Sequence, residues 1–292
     1  MIKHCVISLF VYAIFSLPAI ASEDRALFWR VDSEQSTVYL LGSIHFADES
    51  FYPLREEIEQ AFDASENLVV EVDVDAPESM ASFQHLMRSE GTYSGNETLR
   101  DNLSKETYEK LQSYLKEMNI PFHLVEKQKP GIVVLTLAAI EAQQAGLKPE
   151  LGIDLHFLSQ IENNKKVLAL ETMDEQLRIF LDIEDVDALL QDSFNSIEMV
   201  EKEMEGLVSA WKQGDEKTMY QLLFEDIEKE NKAIIALYER LYFQRNTKMT
   251  KKIKGYLKQK GQYFVIVGAG HLVGDKGVIN LLQNAGYQLK RL

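Results

Sequence analysis

Apolar residues are grouped in short dense runs near the two ends of the chain and in long amphipathic stretches between them. Leu27 to Val31 and Thr37 to Leu41 read as two strands of a hairpin around Asp32-Ser33-Glu34. Pro53 opens a helix with Leu54, Ile58, Ala61 and Phe62 on one face. Asn67 to Asp73 reads as a buried strand with an acid at its end, and Val167 to Glu171 repeats that form. Between these strands residues 77–146 are mostly helical: Ser104 caps a helix over Lys105 to Met118, and Pro130 starts an apolar helix that Gly146 stops. Residues 153–163 form a short helix, and almost all of 174–260 reads as amphipathic helix. A last strand through Phe264 to Val267 leads to a helix starting near His271 or Lys276, and Tyr287 to Leu292 closes as a strand. The pattern predicts an α/β fold: a central mixed β-sheet assembled from the N- and C-terminal parts, with large helical insertions.

One phrase occurs twice. Val38-Tyr39-Leu40-Leu41-Gly42-Ser43-Ile44-His45 and Phe264-Val265-Ile266-Val267-Gly268-Ala269-Gly270-His271 are both apolar runs ending in Gly-x-x-His. Each glycine is expected to let the backbone turn sharply at a strand end. Each histidine then sits just past a carboxyl end, where open α/β sheets place their ligands. Glu71 and Glu171 end the other two apolar runs, in mirrored order along the chain, and a carboxylate there is costly unless it is paired or bound. Asp73 and Asp75 are alternatives if that strand runs on. Two imidazoles and one or two carboxylates suit a divalent metal (Zn, Mn, Co or Fe), with water activated on it and the second carboxylate taking the proton. Arg245 can clamp a substrate carboxylate or pair with Glu71 or Glu171. His85, His123 and His156 have no matching partners and are left as ordinary residues. No helical H-E-x-x-H and no G-x-S-x-G motif occurs, and the glycine spacing after residue 267 is not that of a nucleotide loop.

Charge and cysteine content narrow the setting. The chain carries a formal charge of −15, which argues against nucleic-acid partners. Lys3, the uncharged run Cys5 to Leu17 and the small-x-small Ala19-Ile20-Ala21 read as a signal peptide over 1–21, followed by one domain over 22–292. Cys5 is the only cysteine and would leave with the signal, so the mature chain has neither a disulfide nor a thiol nucleophile. No later stretch has the length for a stable membrane span. The expected location is therefore periplasmic or extracellular; the oligomeric state is open.

The motifs together resemble the TraB/GumN/PrgY family, whose animal relatives are the Tiki-type proteins. The carriers are Leu41-Gly42-Ser43-Ile44-His45, Glu71-Val72-Asp73, Leu170-Glu171-Thr172 with Glu175-Gln176, Arg245-Asn246, and Gly268 to Gly274, spread over about residues 27 to 292. The resemblance implies a fold similar to erythromycin-esterase and ChaN-like proteins, and metal-dependent peptide cleavage using His45, His271 and Glu71, with Arg245 and Glu171 at other recurring positions. Two other readings are a metal-free hydrolase in which a histidine activates water, and a non-catalytic protein that sequesters a peptide or haem in the same pocket, with the histidines as axial haem ligands.

Overall fold

The computed structural model describes residues 25–292 apart from 162–164, 184, 193, 195–196 and 226; the stretch 1–21 expected to be a signal peptide, with Cys5, lies outside the described residues. Six strands form one mixed sheet: β1 (Phe28–Asp32), β2 (Ser36–Ser43), β3 (Asn67–Val70), β4 (Lys166–Ala169), β5 (Gly261–Gly268) and β6 (Leu289–Arg291), in the order β4-β3-β5-β2-β1-β6. β4, β3, β5 and β2 are parallel, while β1 runs antiparallel to both β2 and β6. The parallel part explains the unbroken apolar runs, because its central strands are covered on both faces. Leu68, Val69, Val70 and Phe264 through Val267 are all buried.

Successive residues of β5 point to opposite faces. Phe264 packs on one side against Phe157 and Phe62, with ring centroids 5.0 and 5.6 Å away, which fixes the helices Ile153–Ser159 and Glu56–Ala64 there. Tyr263 stacks on Tyr256 at 4.8 Å on the other side, which fixes the helix Gln244–Tyr256. The segment between β3 and β4 holds a second apolar cluster around Leu111, Leu115, Val133 and Leu137, separate from the sheet core. Among the described residues no helix is long and apolar enough to cross a membrane.

Several boundaries differ from the sequence reading. The strand expected to reach Asp73 ends at Val70, and the helix expected from Pro53 starts at Glu56. The ladder nonetheless continues one step, since the Leu170 and Glu171 N–H groups donate to the Val70 and Glu71 carbonyls at 2.8 Å. The helix expected near His271 or Lys276 starts at Val278. The 174–260 stretch is divided into several helices, including a π-helical turn at Glu239–Phe243.

Candidate active site

Because β4, β3, β5 and β2 are adjacent and parallel, their carboxyl ends lie along one edge. The residues that follow them stand in spatial order Glu171, Glu71, His271, His45. Ser43 and Gly268 are register partners, so the two Gly-x-x-His segments leave the sheet side by side. Neither Gly42 nor Gly268 has the positive φ that a glycine turn was expected to supply. Gly268 is instead a matter of room: a Cβ there would lie 3.3 Å from Glu71 Oε1, 3.6 Å from His45 Nε2 and 3.6 Å from the His271 ring. Three of the candidate side chains thus surround a missing methyl group.

Glu71 is buried and held by three donors. The Gly268 N–H donates to Oε1 at 2.6 Å, Gln176 donates to Oε2 at 3.0 Å, and Arg245 also donates to Oε2. Burial alone would raise this carboxyl; the His271 ring, the Arg245 guanidinium, His45 and the Gly268 N–H hold it down at about 2. Arg245 uses its remaining donors on Glu171 Oε2 at 2.8 Å, the Leu241 carbonyl at 2.8 Å and His271 Nε2 at 3.1 Å. A guanidinium with five donors on one plane is suited to bridging two carboxylates in this way. Glu171 stands behind Arg245 and does not line the cavity, so any influence it has on bound substrate runs through Arg245. Burial raises its carboxyl above the ordinary range in spite of the arginine.

The two histidines have opposite surroundings. His271 is 3 % exposed and packs under Tyr242, with ring centroids 5.2 Å apart. Asn246 donates to the Lys276 carbonyl at 2.9 Å, so its Oδ1 must accept, and His271 Nδ1 lies 2.6 Å from it. His271 therefore carries its proton on Nδ1 and turns the Nε2 lone pair toward Arg245 and Glu71. Burial lowers this imidazole to about 4, so it is neutral at pH 7. The His45 side chain is 57 % exposed, and its Nδ1 donates to Asp154 Oδ2 at 2.8 Å. The Asp154 carboxylate raises His45 to about 9 against the cost of desolvation, and the exposure of the ring screens part of that pull. Ser43 Oγ donates to Asp154 Oδ1 at 3.1 Å and fixes the carboxylate in turn.

The side of the site facing solvent opens into a cavity of about 470 Å³. Ser43, His45, Glu71, Arg245 and His271 form its floor, and the helices Pro130–Gln144, Ile197–Gln213 and Glu216–Phe224 supply its walls. Trp211 Nε1 donates to the Gly42 carbonyl at 2.7 Å and ties the Ile197–Gln213 helix to the end of β2. The π-helical turn at Glu239–Phe243 brings Tyr242 to the floor one turn before Arg245, a use often made of such turns at functional sites.

A family model described as the TraB/PrgY/gumN family matches residues 27–291. The chain belongs to the TraB/PrgY/gumN family. Among its relatives in the family's sequence neighbourhood, the uncharacterized protein YbaP of Escherichia coli (strain K12) is 28 % identical over 247 residues, which are 84 % of this chain and 87 % of that protein. An uncharacterized protein of Treponema pallidum (strain Nichols) is 25 % identical over 56 % of this chain and 49 % of its own length. A protein of Amphimedon queenslandica called Metalloprotease TIKI homolog is 33 % identical over 69 residues, 23 % of this chain and 13 % of that protein. No solved structure matches the chain.

The TIKI likeness raises the question of a metal, which the donor atoms can be asked directly. Both Nδ1 atoms are tied, to Asp154 and Asn246, which is the way metal-binding imidazoles are usually oriented. However, His271 Nε2 has a single lone pair and Arg245 donates to it, while Glu71 already accepts from three donors. Among the described residues no group of three His, Cys, Asp or Glu side chains is arranged to hold a metal ion. Of the three residues expected to hold an ion, His271 and Glu71 both accept from Arg245, while His45 is tied to Asp154. Asp73 and Asp75 are absent from the cavity wall. Asp154 is the residue that the sequence reading missed. It sits in the first turn of a helix, where an acid is ordinarily a response to the helix dipole. A signal exists two residues earlier: a Cβ on Gly152 would lie 2.2 Å from the His45 carbonyl oxygen, so that glycine marks where the helix meets the His45 segment.

Proposed function

We propose that this protein is an exported hydrolase that cleaves peptides or flexible protein termini, with His45 the residue that meets the reacting water. The observation that carries this is the His45–Asp154 pair: the ring is open to the cavity, its Nδ1 is held by a carboxylate, and Nε2 is left facing the floor. In the neutral state Nε2 takes a proton from water, the oxygen bonds to the substrate carbonyl carbon, the C–N bond breaks, and the proton passes from His45 to the departing amine. Glu71, His271 and Arg245 form the floor against which the carbonyl is placed, and Glu171 holds Arg245 from behind. Export rests on the apolar Cys5 to Leu17 run and the Ala19-Ile20-Ala21 site.

A metal-dependent form of the reaction is the second reading, supported by the likeness to the Metalloprotease TIKI homolog and by the two tied Nδ1 atoms. It requires Arg245 to give up His271 Nε2. The experiment is peptide cleavage by the purified mature protein, before and after exhaustive chelation and with Mn, Co, Zn or Fe added back, beside His45→Gln. Direct activation by His45 predicts activity that survives chelation, rises with pH toward about 9 as the ring loses its proton, and falls about 10²- to 10⁴-fold in His45→Gln. Activity lost on chelation and restored by one ion establishes the metal form. No cleavage under any condition, with a Soret band on adding haem, sinks both in favour of a binding protein.

A further inference from the structure

The cavity has a chemical division that the catalytic floor does not need. Among the described residues, its lining beyond His45, Glu71, Arg245 and His271 contains no Asp, Glu, Lys or Arg, although the chain as a whole is 26 % charged. One wall is the Pro130–Gln144 helix, which is predominantly apolar, its one charged residue, Glu141, being bonded to Tyr114 and not lining the cavity. Helices of that composition are normally enclosed on all sides. Here Val133 and Leu137 face the second apolar cluster, while Leu135, Ala138, Ala139 and Ala142 face the cavity, where Ala138 is exposed. The three alanines create the space, because any longer side chain at those positions would fill it. Met204 and Met219 line the other side, and thioether side chains adapt to apolar groups of different shape. A volume of about 470 Å³ is in the range of pockets that enclose a small ligand or a few residues of peptide.

We propose that this wall is a specificity pocket for an apolar side chain, of the Leu, Met or Phe kind, next to the bond that His45 acts on, with Ala138, Ala139 and Ala142 setting its depth. The proposal rests on the hydrolase reading for its orientation but not for its chemistry. A charged side chain would lose its hydration against a wall with no partner to offer. An apolar one gains about fourfold in affinity for each methylene removed from water.

The test is a series of N-acetyl-X-amides with X = Gly, Ala, Val, Leu, Phe, Lys and Glu, titrated into the full mature protein carrying ¹³C-methyl methionine. Affinity is read from the methyl resonances of Met204 and Met219, with exposed Met80 as control, and cleavage is followed in parallel on peptides carrying the same X. The expected result is at least a tenfold gain from Ala to Leu, the Lys and Glu ligands weakest, and shifts confined to Met204 and Met219. Ala138→Phe, at an exposed position that tolerates bulk, should bring the Leu ligand down to the Ala value; Ala138→Val should do so in part, and both are checked for an unchanged thermal transition. A flat series, a preference for charge, or an Ala138→Phe protein with the gradient intact overturns the pocket. An apolar gradient in binding with no cleavage of any peptide leaves the pocket standing and removes the hydrolase reading. Cleavage without apolar preference does the reverse.

Discussion

The two Gly-x-x-His segments are spelled alike, leave adjacent strands at the same register, and end in opposite chemical states. His271 is buried, donates to a neutral amide and is lowered to about 4; His45 is open to the cavity, donates to a carboxylate and is raised to about 9. At pH 7 the first is a neutral acceptor and the second an imidazolium. The motif delivers the ring to the sheet edge, and the partner of Nδ1 together with burial decides what the ring can do there. His271 belongs to the floor with Arg245, and His45 belongs to the cavity.

The sharpest way to break that division is at Arg245, which bonds to Glu71, to Glu171 behind the floor and to His271. Arg245→Met would leave Glu71 and Glu171 buried without it, and removing one partner of such a group costs about 3–5 kcal/mol. In a chain of this size that is a fall in Tm on the order of 10 °C. Arg245→Lys should recover only part of it, because one ammonium cannot replace the fork. If urea unfolding shows Arg245→Met within about 1 kcal/mol of the parent, the floor is not organised by this residue. The same variant sharpens the metal question. With Arg245 gone, His271 Nε2 and Glu71 regain free lone pairs, so a metal that binds Arg245→Met but not the parent in equilibrium dialysis identifies the arginine as the obstacle.

What the sequence made legible follows from which constraints are local. Strand-end acids and histidines could be found because each is joined to an apolar run by covalent geometry, and parallel pairing then carries Glu171, Glu71, His271 and His45 to one edge. Pairing of Arg245 with Glu71 or Glu171 was open from composition alone; that it bridges both at once could not be read from spacing. Asp154 was invisible because nothing local distinguishes it from a helix-start acid, and its meaning comes from His45, 109 residues away. The apolar helix from Pro130 was legible as a helix. That its alanines border a cavity was not legible, since a sequence does not say whether the neighbour of an alanine is a side chain or a cavity.

The next effect is in acid. The His271 imidazole is held at about 4, whereas the unfolded chain takes up a proton at about 6.5. Over that interval the unfolded state binds more protons, so stability falls as pH drops from about 6.5 to about 4, by up to about 3 kcal/mol. Glu71 acts lower: its folded value of about 2 against an ordinary 4.5 gives stability that is present above 4.5 and is lost as pH falls toward 2. The two windows barely overlap. His271→Gln should flatten the stability–pH curve above pH 4 and leave the loss below it. A parent curve already flat between pH 4 and 6.5 would mean that His271 titrates normally, and the contrast between the two histidines would fail on its buried side.

The smallest change in stability, and the most direct test of the exposed side, is Asp154→Asn. The amide can still accept from His45 Nδ1, so ring orientation survives while the charge that raises the imidazole is removed. His45 should then move from about 9 toward its ordinary 6.5, visible in an NMR titration of its ring proton. The parent pair contributes stability that is fully present below pH 6.5 and is lost as pH rises through about 9; because the ring is half open to water, that contribution is within about 1 kcal/mol. Activity should respond more clearly than stability. If neutral His45 is the base, the rising limb of kcat/KM shifts to lower pH in Asp154→Asn by the same interval as the ring titration, so that activity near pH 6 to 7 gains relative to its own plateau, while the weaker base lowers the plateau itself. A limb that stays in place while the ring titration moves would show that some other group sets the pH dependence, and His45 would then be a cavity residue like its neighbours, charged but not reactive.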